Sequence, residues 1–287
     1  MLIARYADAG RVRLGVVSEG IARAIPDRFL RPGGDVDRLG VAALRTWARA
    51  DLDGYLEPGR PLAAVELLAP VPRPEKIIGL GGNYAAHAEE HGVSVADHPI
   101  VFAKFPNSIL DPFKPIEVTD EDRAVDYEGE LCVVIGHAVR DVTADAAMAA
   151  VAGYTVANDV SARTWQLRVS QWTLGKSFDT YCPIGPWLAT RESVPDPQAL
   201  GIETRIGETI LQSSSTSLMV YGVAELVSYL SRVMTLVPGD LVLTGTPAGV
   251  GHARIPPRYL TPGETVTVTI ERIGSLSNPV ARRGARA

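Results

Sequence analysis

The stretch Asp126-Tyr127-Glu128-Gly129-Glu130-Leu131-Cys132-Val133-Val134-Ile135-Gly136 combines the pattern of a buried strand with charge that a strand interior does not favour. In its second half Leu131, Val133 and Ile135 alternate with their neighbours, so they share one face of a predicted strand. This face is expected to pack against an apolar core. Glu128 and Glu130 lie on the opposite face. Carboxylates at this spacing lie within roughly 7 Å of each other, and like charges at that distance destabilise a strand unless a cation or protons neutralise them. We therefore expect positive charge here, with two solvated glutamates at a sheet edge as the alternative.

A second predicted strand, residues 153–160, carries a carboxylate at its end. Thr155, Ala157 and Asp159 lie on one face of it. An aspartate just before a helix-like turn is most often only a helix N-cap, so Asp159 gains significance only in combination with the glutamate pair. If these carboxylates hold an ion, an all-oxygen ligand set suits Mg²⁺, Mn²⁺ or Ca²⁺ rather than zinc or copper.

The composition is that of an ordinary globular protein. The chain has 287 residues, of which 46% are hydrophobic and 21% charged, so we expect one large domain with an appendage or two unequal domains. The formal net charge of -5 offers no basic surface for nucleic acid. No apolar run approaches the length of a membrane span and the N-terminus lacks a signal-peptide pattern, which predicts a cytoplasmic protein without a membrane partner.

The cysteines and histidines argue against a disulfide framework and against a zinc site. Cys132 and Cys182 lie in separate apolar contexts without C-x-x-C spacing, which favours buried thiols in a reducing compartment. The histidines contain no zincin pattern: His87 and His91 are spaced i, i+4, but no glutamate directly follows His87.

Proline and glycine divide the chain into two parts. Residues 2–20 alternate apolar and polar around a central turn and predict a hairpin, and residues 36–50 have apolar positions at helical spacing. The proline-rich residues 68–74 are typical of a linker, because proline removes donors and stiffens the backbone. We therefore predict a small α+β N-terminal domain over residues 1–70 and a larger domain over residues 71–287, in the α+β class overall.

The larger domain alternates strand and helix patterns. They predict strands over residues 76–82, 99–105, 187–190, 241–243 and 265–272, a hairpin over 200–212, and helices over 143–152 and 223–236. The glycine-rich residues 244–251 follow a strand but lack the Lys-Ser/Thr ending of a P-loop and the spacing G-x-G-x-x-G. A nucleotide site is therefore not expected, although the backbone can approach a small ligand there, with Thr246 offering a hydroxyl.

A short predicted helix over residues 84–90 carries a candidate base. Asn83 is expected as its N-cap and Gly92 as its C-terminal stop. His87 and Glu90 are spaced i, i+3 and face the same way, and a carboxylate that stabilises the imidazolium makes such a histidine a general base. A solvated pair on the surface is the alternative. A short helix between glycines also suits a lid, because glycine can absorb hinge motion.

Three further positions are weaker candidates on their own. Arg163 and Gln166 face the same way in the helix-like turn after Asp159. Lys176, beside a glycine, could approach an anionic ligand, although an isolated lysine usually lies on the surface. Lys104, at the end of a strand, is expected to snorkel to water.

Six short motifs follow one another in the larger domain. They are Gly82-Asn83-Tyr84-Ala85-Ala86-His87, Tyr127-Glu128-Gly129-Glu130-Leu131, Gly153-Tyr154-Thr155-Val156-Ala157-Asn158-Asp159-Val160-Ser161-Ala162-Arg163, Gly175-Lys176-Ser177-Phe178-Asp179, Gly185-Pro186-Trp187 and Thr244-Gly245-Thr246-Pro247-Ala248-Gly249-Val250-Gly251. Each is weak alone. Their order and number resemble the fumarylacetoacetate hydrolase superfamily over residues 76–278.

The resemblance implies a mixed β-sandwich roll, a homodimer and a divalent metal, Mg²⁺ or Mn²⁺. It implies that the metal is bound by three carboxylates, which fall here on Glu128, Glu130 and Asp159. It further implies a ligand site lined by Arg163, Gln166, Lys176 and Thr246, with His87 and Glu90 as the base pair on a lid. The first 70 residues resemble the small extra domain of longer bacterial members.

The activity that the resemblance implies depends on an enolate. Hydrolysis of a C–C bond in a 2,4-diketo acid, of the acylpyruvate or fumarylacetoacetate type, would use His87 with Glu90 to deprotonate water and Lys176 to counter negative charge. Oxaloacetate decarboxylation and isomerisation of 2-hydroxyhepta-2,4-diene-1,7-dioate-type diacids use the same kind of enolate and stay open. A metal-stabilised binding protein without turnover is the alternative from another class.

Departures from the family pattern leave the substrate open. The predicted hairpin turn reads Arg205-Ile206-Gly207-Glu208 where an Asn-Gly-Glu turn is common, and His91 stands where an apolar residue is usual. The loop over residues 107–115 also differs, so the far end of the pocket does not follow from the resemblance.

Overall fold

The computed structural model of the protein describes residues 1–45, 47–92, 94–119 and 122–284. The strands are, in chain order, β1 (Leu2–Asp8), β2 (Arg11–Ser18), β3 (Ile21–Ala24), β4 (Gly59–Pro61), β5 (Glu66–Leu68), β6 (Ile77–Gly81), β7 (Ile100–Lys104), β8 (Ile109–Leu110), β9 (Ile116–Val118), β10 (Val125–Asp126), β11 (Gly129–Ile135), β12 (Val151–Asn158), β13 (Ser161–Ala162), β14 (Cys182–Thr190), β15 (Gly201–Ile206), β16 (Thr209–Ser215), β17 (Leu241–Leu243), β18 (Thr265–Ile270) and β19 (Gly274–Arg282). The α-helices are α1 (Val36–Leu39), α2 (Arg49–Leu52), α3 (Ala85–Glu90), α4 (Ala144–Ala147), α5 (Arg163–Gln166), α6 (Thr173–Lys176) and α7 (Val223–Val233).

A large mixed sheet runs through the molecule. Its strand order is β4-β3-β2-β1-β14-β12-β11-β17-β6-β7, with β5 paired to β1 and β8 paired to β14. Along this order the pairs are antiparallel except for β17 with β6, and β8 also lies parallel to β14. β11 and β12, which carry the predicted carboxylates, lie inside the sheet, and every residue of both strands is buried.

A second sheet, in the order β16-β15-β18-β19-β9, covers one face of the first. Leu131 of β11 and Val156 of β12 belong to one apolar cluster with Val268 of β18 and Leu226 of α7. The opposite face of β11 is also covered, since Cys132 packs in a second cluster with residues of the N-terminal region. The predicted α+β class and the mixed sandwich of sheets are therefore confirmed, and burial on both faces explains why the central strands are so apolar.

The N-terminal region extends the large sheet. β1 pairs antiparallel with β14, with Leu2 opposite Ala189. Within the predicted linker, Ala69 and Val71 are buried in the same cluster as Cys132. Sheet and core thus continue across residue 70. The division into a domain of residues 1–70 and one of residues 71–287, whose last three residues lie outside the described ranges, stays a prediction.

Several local predictions hold. β1 and β2 form the predicted hairpin, β15 and β16 form the second one, and α7 follows the predicted amphipathic pattern. Cys132 and Cys182 are free and buried. Among the described residues there is no helix that combines the length and the apolar character needed to cross a bilayer.

Two predicted helices are shorter than expected. The pattern over residues 36–50 gives α1, a 3₁₀ turn over Gly40–Ala43 and α2, with Thr46 outside the described residues. Gly40 has φ 56°, and a Cβ there would lie 1.9 Å from the Pro70 carbonyl oxygen, so tertiary contact turns the chain at this point. The helix predicted over 143–152 ends at Ala147, because the Ala150 carbonyl accepts the backbone N–H of Gly136 and the chain continues into β12.

Asn83 is not the N-cap of α3, and that prediction is wrong. Tyr84 takes the N-cap position without a side-chain hydrogen bond. The Asn83 amide instead donates to the carbonyls of Tyr221 and Thr244, over 3.0 and 2.8 Å. The Thr244 carbonyl is buried and the Tyr221 carbonyl is partly buried, so both need a donor, and this need outweighs a local cap.

Candidate active site

Antiparallel pairing of β11 with β12 brings the predicted carboxylates together. The register places Gly129 opposite Asn158, and the backbone N–H of Asp159 donates to the Glu128 carbonyl over 2.8 Å. Glu128, Glu130 and Asp159 are all buried, and each offers a carboxylate oxygen within 4.8 Å of the others. The three side chains can therefore reach a common ion.

Two buried lysines contact this group from different elements. Lys176, at the end of α6, places its Nζ 2.6 Å from Glu128 Oε2 and 2.7 Å from Asp159 Oδ2. Lys104, the last residue of β7, places its Nζ 2.6 Å from Asp159 Oδ1. The prediction that Lys104 snorkels to water is wrong, because a buried carboxylate needs a counter-charge and Lys104 supplies it.

The acidic group is short of positive charge. Burial raises the pKa of Glu130 well above its usual range, and the charges of Asp159 and Glu128 raise it further. Burial also opposes ionisation of Glu128, but Lys176 and then Arg163 outweigh it and lower the pKa of that carboxyl. Glu130 accepts a hydrogen bond from the Gly245 backbone N–H over 2.7 Å. Among the described residues, Glu130 is thus the member of the trio without a lysine or arginine partner.

This donor set fits a divalent metal. The side chains of Glu128, Glu130 and Asp159 offer only oxygen, which Mg²⁺ and Mn²⁺ prefer. A bound dication would also supply positive charge beside Glu130, and this charge would stabilise the ionised form of that carboxyl. Which of the two ions binds stays a prediction.

Asp126 anchors Arg163 beside the carboxylates. Arg163, the first residue of α5, donates from Nε and Nη2 to Asp126 Oδ2 over 3.0 and 2.8 Å, and its Nη2 lies 2.7 Å from Glu128 Oε1. Its Nη1 donates to Gln166 Oε1 over 2.9 Å, so the predicted pair of Arg163 and Gln166 lies together. Asp126 also accepts the backbone N–H groups of Gly251 and His252 over 2.7 and 2.9 Å. One carboxylate therefore orients both α5 and the end of the glycine-rich loop.

The glycine-rich loop over residues 244–251 closes one side of the site. Gly245 has φ 95°, and a Cβ there would lie 2.8 Å from the Asn83 Cβ, so only glycine can present its N–H to Glu130. The Thr246 hydroxyl donates to the Gly129 carbonyl over 3.0 Å and accepts from Gln212 Nε2 over 2.8 Å. Thr246 is thus held against β11 at the edge of the cavity.

The contact between His87 and Glu90 predicted on α3 forms and is tied to this loop, while the role of this base pair in catalysis stays a prediction. His87 Nδ1 lies 2.6 Å from Glu90 Oε1, and Glu90 Oε2 accepts the Gly249 backbone N–H over 2.8 Å. Burial favours a protonated Glu90, but the hydrogen bonds from His87 and Gly249 outweigh it and lower the pKa of this carboxyl. The side chains of His87 and Glu90 are only 12% and 19% exposed, so they are not the solvated surface pair of the alternative interpretation. With Nδ1 engaged, Nε2 of His87 is left for a ligand.

One cavity of about 370 Å³ joins these groups. Its polar lining includes the predicted residues His87, Glu128, Glu130, Arg163, Gln166, Lys176 and Thr246, together with His91 and His252. Its apolar lining includes Leu80, Ile100, Phe102, Leu167 and Trp172. Two of the three carboxylates, His87 and two cations therefore face one space large enough for a small organic acid.

The family model described as fumarylacetoacetate (FAA) hydrolase C-terminal matches residues 76–281. The chain belongs to the fumarylacetoacetate hydrolase family. It is 48% identical over 221 residues to "Oxaloacetate tautomerase Fahd2a, mitochondrial" of Rattus norvegicus, which covers 77% of this chain and 71% of the relative.

Solved structures of this family cover nearly the whole chain. Fumarylacetoacetate hydrolase from Exiguobacterium antarcticum superposes with a TM-score of 0.85 at 37% identity, covering 99% of this chain and 100% of that one. The structure titled 2-hydroxyhepta-2,4-diene-1,7-dioate isomerase from Mycobacterium marinum superposes with a TM-score of 0.79 at 36% identity, covering 99% of both chains. The named relatives are enzymes that act on small organic acids. Because the rat relative is described as mitochondrial, the cytoplasmic location expected from the sequence stays a prediction.

Sequence reasoning did not assign Asp126, Lys104 or His252 to the site. Asp126 lies within the opening stretch, but its partners are 37 and 125 residues away, so no local pattern signals it. Lys104 and His252 carry no motif either.

Proposed function

We propose that this protein is a divalent-metal-dependent enzyme of 2-oxo acid enolisation, and that it interconverts the keto and enol forms of oxaloacetate. The observation that carries the proposal is that His87, held by Glu90, lines the same cavity as Glu128 and Glu130, whose carboxylates lie together with that of Asp159. The 48% identity to a relative named as an oxaloacetate tautomerase supports this choice of reaction.

Tautomerisation moves one proton between C3 and the 2-oxygen of the substrate. A divalent cation, when bound at the carboxylates, would supply a positive charge that stabilises the enolate oxygen. His87 would remove the proton from C3 as the electron pair moves into the C2–C3 bond, and Glu90 would stabilise the imidazolium so formed. The protonated His87 would then return its proton to the 2-oxygen. Lys176 would balance charge near that oxygen.

Hydrolysis of a 2,4-diketo acid is the second candidate. The apolar wall at Phe102, Leu167 and Trp172 favours it, because an acylpyruvate carries an apolar acyl group. His87 would then deprotonate a water that attacks the distal carbonyl, and cleavage of the C–C bond would release a carboxylic acid and a pyruvate-like enolate. Oxaloacetate decarboxylation and isomerisation of hydroxymuconate-type diacids depend on the same enolate.

The reactions are separated by their products. We would dissolve the enol form of oxaloacetate with Mg²⁺ or Mn²⁺ and protein, follow the enol absorbance, and measure pyruvate in parallel; acylpyruvates and a hydroxymuconate-type diacid are assayed beside it. With a tautomerase, the enol absorbance reaches the same final value as in the uncatalysed reaction, but sooner. No more pyruvate forms than in a sample without protein. Pyruvate from oxaloacetate would indicate a decarboxylase, pyruvate from acylpyruvates a hydrolase, and no reaction with any substrate a binding protein.

Two variants separate the metal site from the base. Glu128→Ala removes a proposed ligand, and we expect at least about a hundredfold weaker Mn²⁺ binding together with loss of activity. His87→Ala should keep Mn²⁺ affinity within about twofold while the rate falls by about a hundredfold or more. Calorimetric titration with Mn²⁺ measures the first quantity. Equal metal affinity in both variants would contradict the assignment.

The family resemblance also supports a homodimer as the functional unit. Light scattering coupled to size exclusion measures the molar mass directly. A monomer at assay concentration with full activity would show that dimerisation is not needed.

A further inference from the structure

Two histidines form a wall of the cavity that the proposed chemistry does not use. His91 follows α3 and His252 follows the glycine-rich loop. Their rings stack with centroids 6.0 Å apart and an interplanar angle of 18°. The His91 ring also meets His87 edge to face, with centroids 4.8 Å apart. The pair therefore lies directly beside the proposed base.

The arginine and the lysine that line the cavity are already bonded to carboxylates. Arg163 contacts Asp126 and Glu128, and Lys176 contacts Glu128 and Asp159. A second negative charge on a ligand would find neither cation free of a carboxylate partner. It therefore needs donors from elsewhere in the lining.

His91 and His252 have donor capacity left. The Nδ1 of His252 lies 2.9 Å from the Tyr259 hydroxyl, and a phenol that donates to Nδ1 leaves the proton on Nε2. Across the described part of the chain, no side-chain hydrogen bond engages the His91 ring. Burial, followed by the charges of His87 and Arg163, lowers the pKa of His91, while Glu90 and Glu128 act in the opposite direction. A neutral imidazole still carries one N–H donor, so either ring can donate to an anionic group.

We propose that His91 and His252 bind the second carboxylate of a dianionic substrate, so that the site selects 2-oxo diacids over 2-oxo acids with an uncharged tail. This inference rests on the proposed function, because it presumes that the first carboxylate and the 2-oxygen of the substrate lie at the divalent cation. Glu128, Glu130 and Asp159 would hold that cation. Both ring Nε2 atoms serve as donors to the distal carboxylate. The apolar part of the cavity lining would hold the uncharged tail of a competing monoacid. Binding of a diacid would therefore depend on the histidine pair, whereas binding of a monoacid would not.

The test compares a diacid and a monoacid of the same chain length with a ligand that has no tail. With the Mn²⁺-loaded protein, oxaloacetate is the diacid substrate, 2-oxobutanoate is the monoacid of the same chain length, and oxalate occupies the proposed metal site without a tail. The variants are His252→Phe and His91→Met, alone and together. His98→Phe is the matched control, since His98 stacks on Tyr229 outside this cavity.

We expect each single variant to raise the KM for oxaloacetate about tenfold, because it removes one hydrogen bond to a carboxylate, and the double variant to raise it further. The kcat of each variant should stay within about twofold of the original. The inhibition constants of oxalate and 2-oxobutanoate should change by less than about twofold, and His98→Phe should change nothing. An unchanged KM for oxaloacetate, or an equal shift for all three ligands, would overturn the inference.

A measurement without turnover keeps the two proposals distinguishable. The rise in Tm that each ligand causes in the Mn²⁺-loaded protein reports binding alone. If oxalate stabilises the original protein but oxaloacetate stabilises it no more than 2-oxobutanoate, the metal site stands and the diacid preference is wrong. If none of the three ligands stabilises it, the proposed function itself fails, and the inference that rests on it fails too.

Discussion

Asp159 receives a lysine on each of its carboxylate oxygens. Lys104 contacts Oδ1 over 2.6 Å and Lys176 contacts Oδ2 over 2.7 Å, and all three side chains are buried. A carboxylate bonded on both oxygens has a fixed direction. Lys104 therefore acts as a positioning residue for Asp159, from the side of β7.

Replacing this lysine should destabilise the fold. Lys104→Met keeps the volume but leaves Oδ1 of Asp159 without its ammonium partner in a buried place, so we expect the free energy of unfolding to fall by about 3 kcal/mol. Lys114→Met is the control, because Lys114 and its partner Glu66 are both about half exposed, and its effect should stay within about 0.5 kcal/mol. Urea unfolding followed by circular dichroism measures both. Similar values for the two variants would show that the buried contact contributes nothing special.

At the scale of elements, the glycine-rich loop links the base pair to the two central strands. Gly245 donates its N–H to Glu130 and Gly249 donates its N–H to Glu90, over 2.7 and 2.8 Å. The loop thus sets the position of α3 relative to β11. A lid movement of α3 would have to break the second contact and could leave the first intact.

Gly249→Ala tests this link. Gly249 has φ 106°, and a Cβ there would lie 2.3 Å from the Leu211 carbonyl oxygen, so the loop must shift away from Glu90. We expect a loss of about 3 kcal/mol in unfolding free energy together with a large fall in kcat. Gly207→Ala is the matched control: Gly207 has φ 56° with nothing within 4 Å of an added Cβ, and it should cost about 1 kcal/mol without affecting kcat. Normal kcat in Gly249→Ala would mean that the loop does not orient the base pair.

At the scale of the whole molecule, the large sheet and the second apolar cluster cross the predicted boundary at residue 70. Deleting residues 1–70 would leave β14 without its partner β1 and would expose Cys132 and Val134 on the face of β11 that this region covers. We expect the fragment of residues 71–287 to aggregate or to lose cooperative unfolding. Solubility and a thermal melt measure this. A soluble fragment with a sharp melting transition would show that the larger domain folds independently.

The buried acidic group also makes the stability of the whole molecule depend on metal and pH. The pKa of Glu130 is raised in the fold without metal, so its contribution is fully present below the unfolded pKa and is lost as pH rises through the folded pKa. A bound cation takes the place of that proton. At a Mn²⁺ concentration about a hundred times the Kd at pH 8, we expect the ion to add about 2.7 kcal/mol at that pH. The same Mn²⁺ concentration should raise Tm less at pH 5.5, where the proton on Glu130 competes with the ion. A rise that shrinks with increasing pH would contradict the role of Glu130.

The sequence by itself determined what depends on neighbours along the chain. The spacing i, i+2 of Glu128 and Glu130 and the spacing i, i+3 of His87 and Glu90 set directions that the backbone geometry of a strand and a helix keeps in any fold. The order of several short motifs along the chain was enough to indicate the fold family.

Only the tertiary structure decided which distant groups meet. Lys104 contacts Asp159 across 55 residues and Asp126 contacts Gly251 across 125 residues, and the stacking of His91 on His252 depends on where the glycine-rich loop lies beside α3. Such contacts depend on sheet register and loop path, which are set by the packing of the whole core. The physical reason is that local spacing fixes the direction of a side chain, whereas the charge or ring that it meets is brought there by strands far away in the chain.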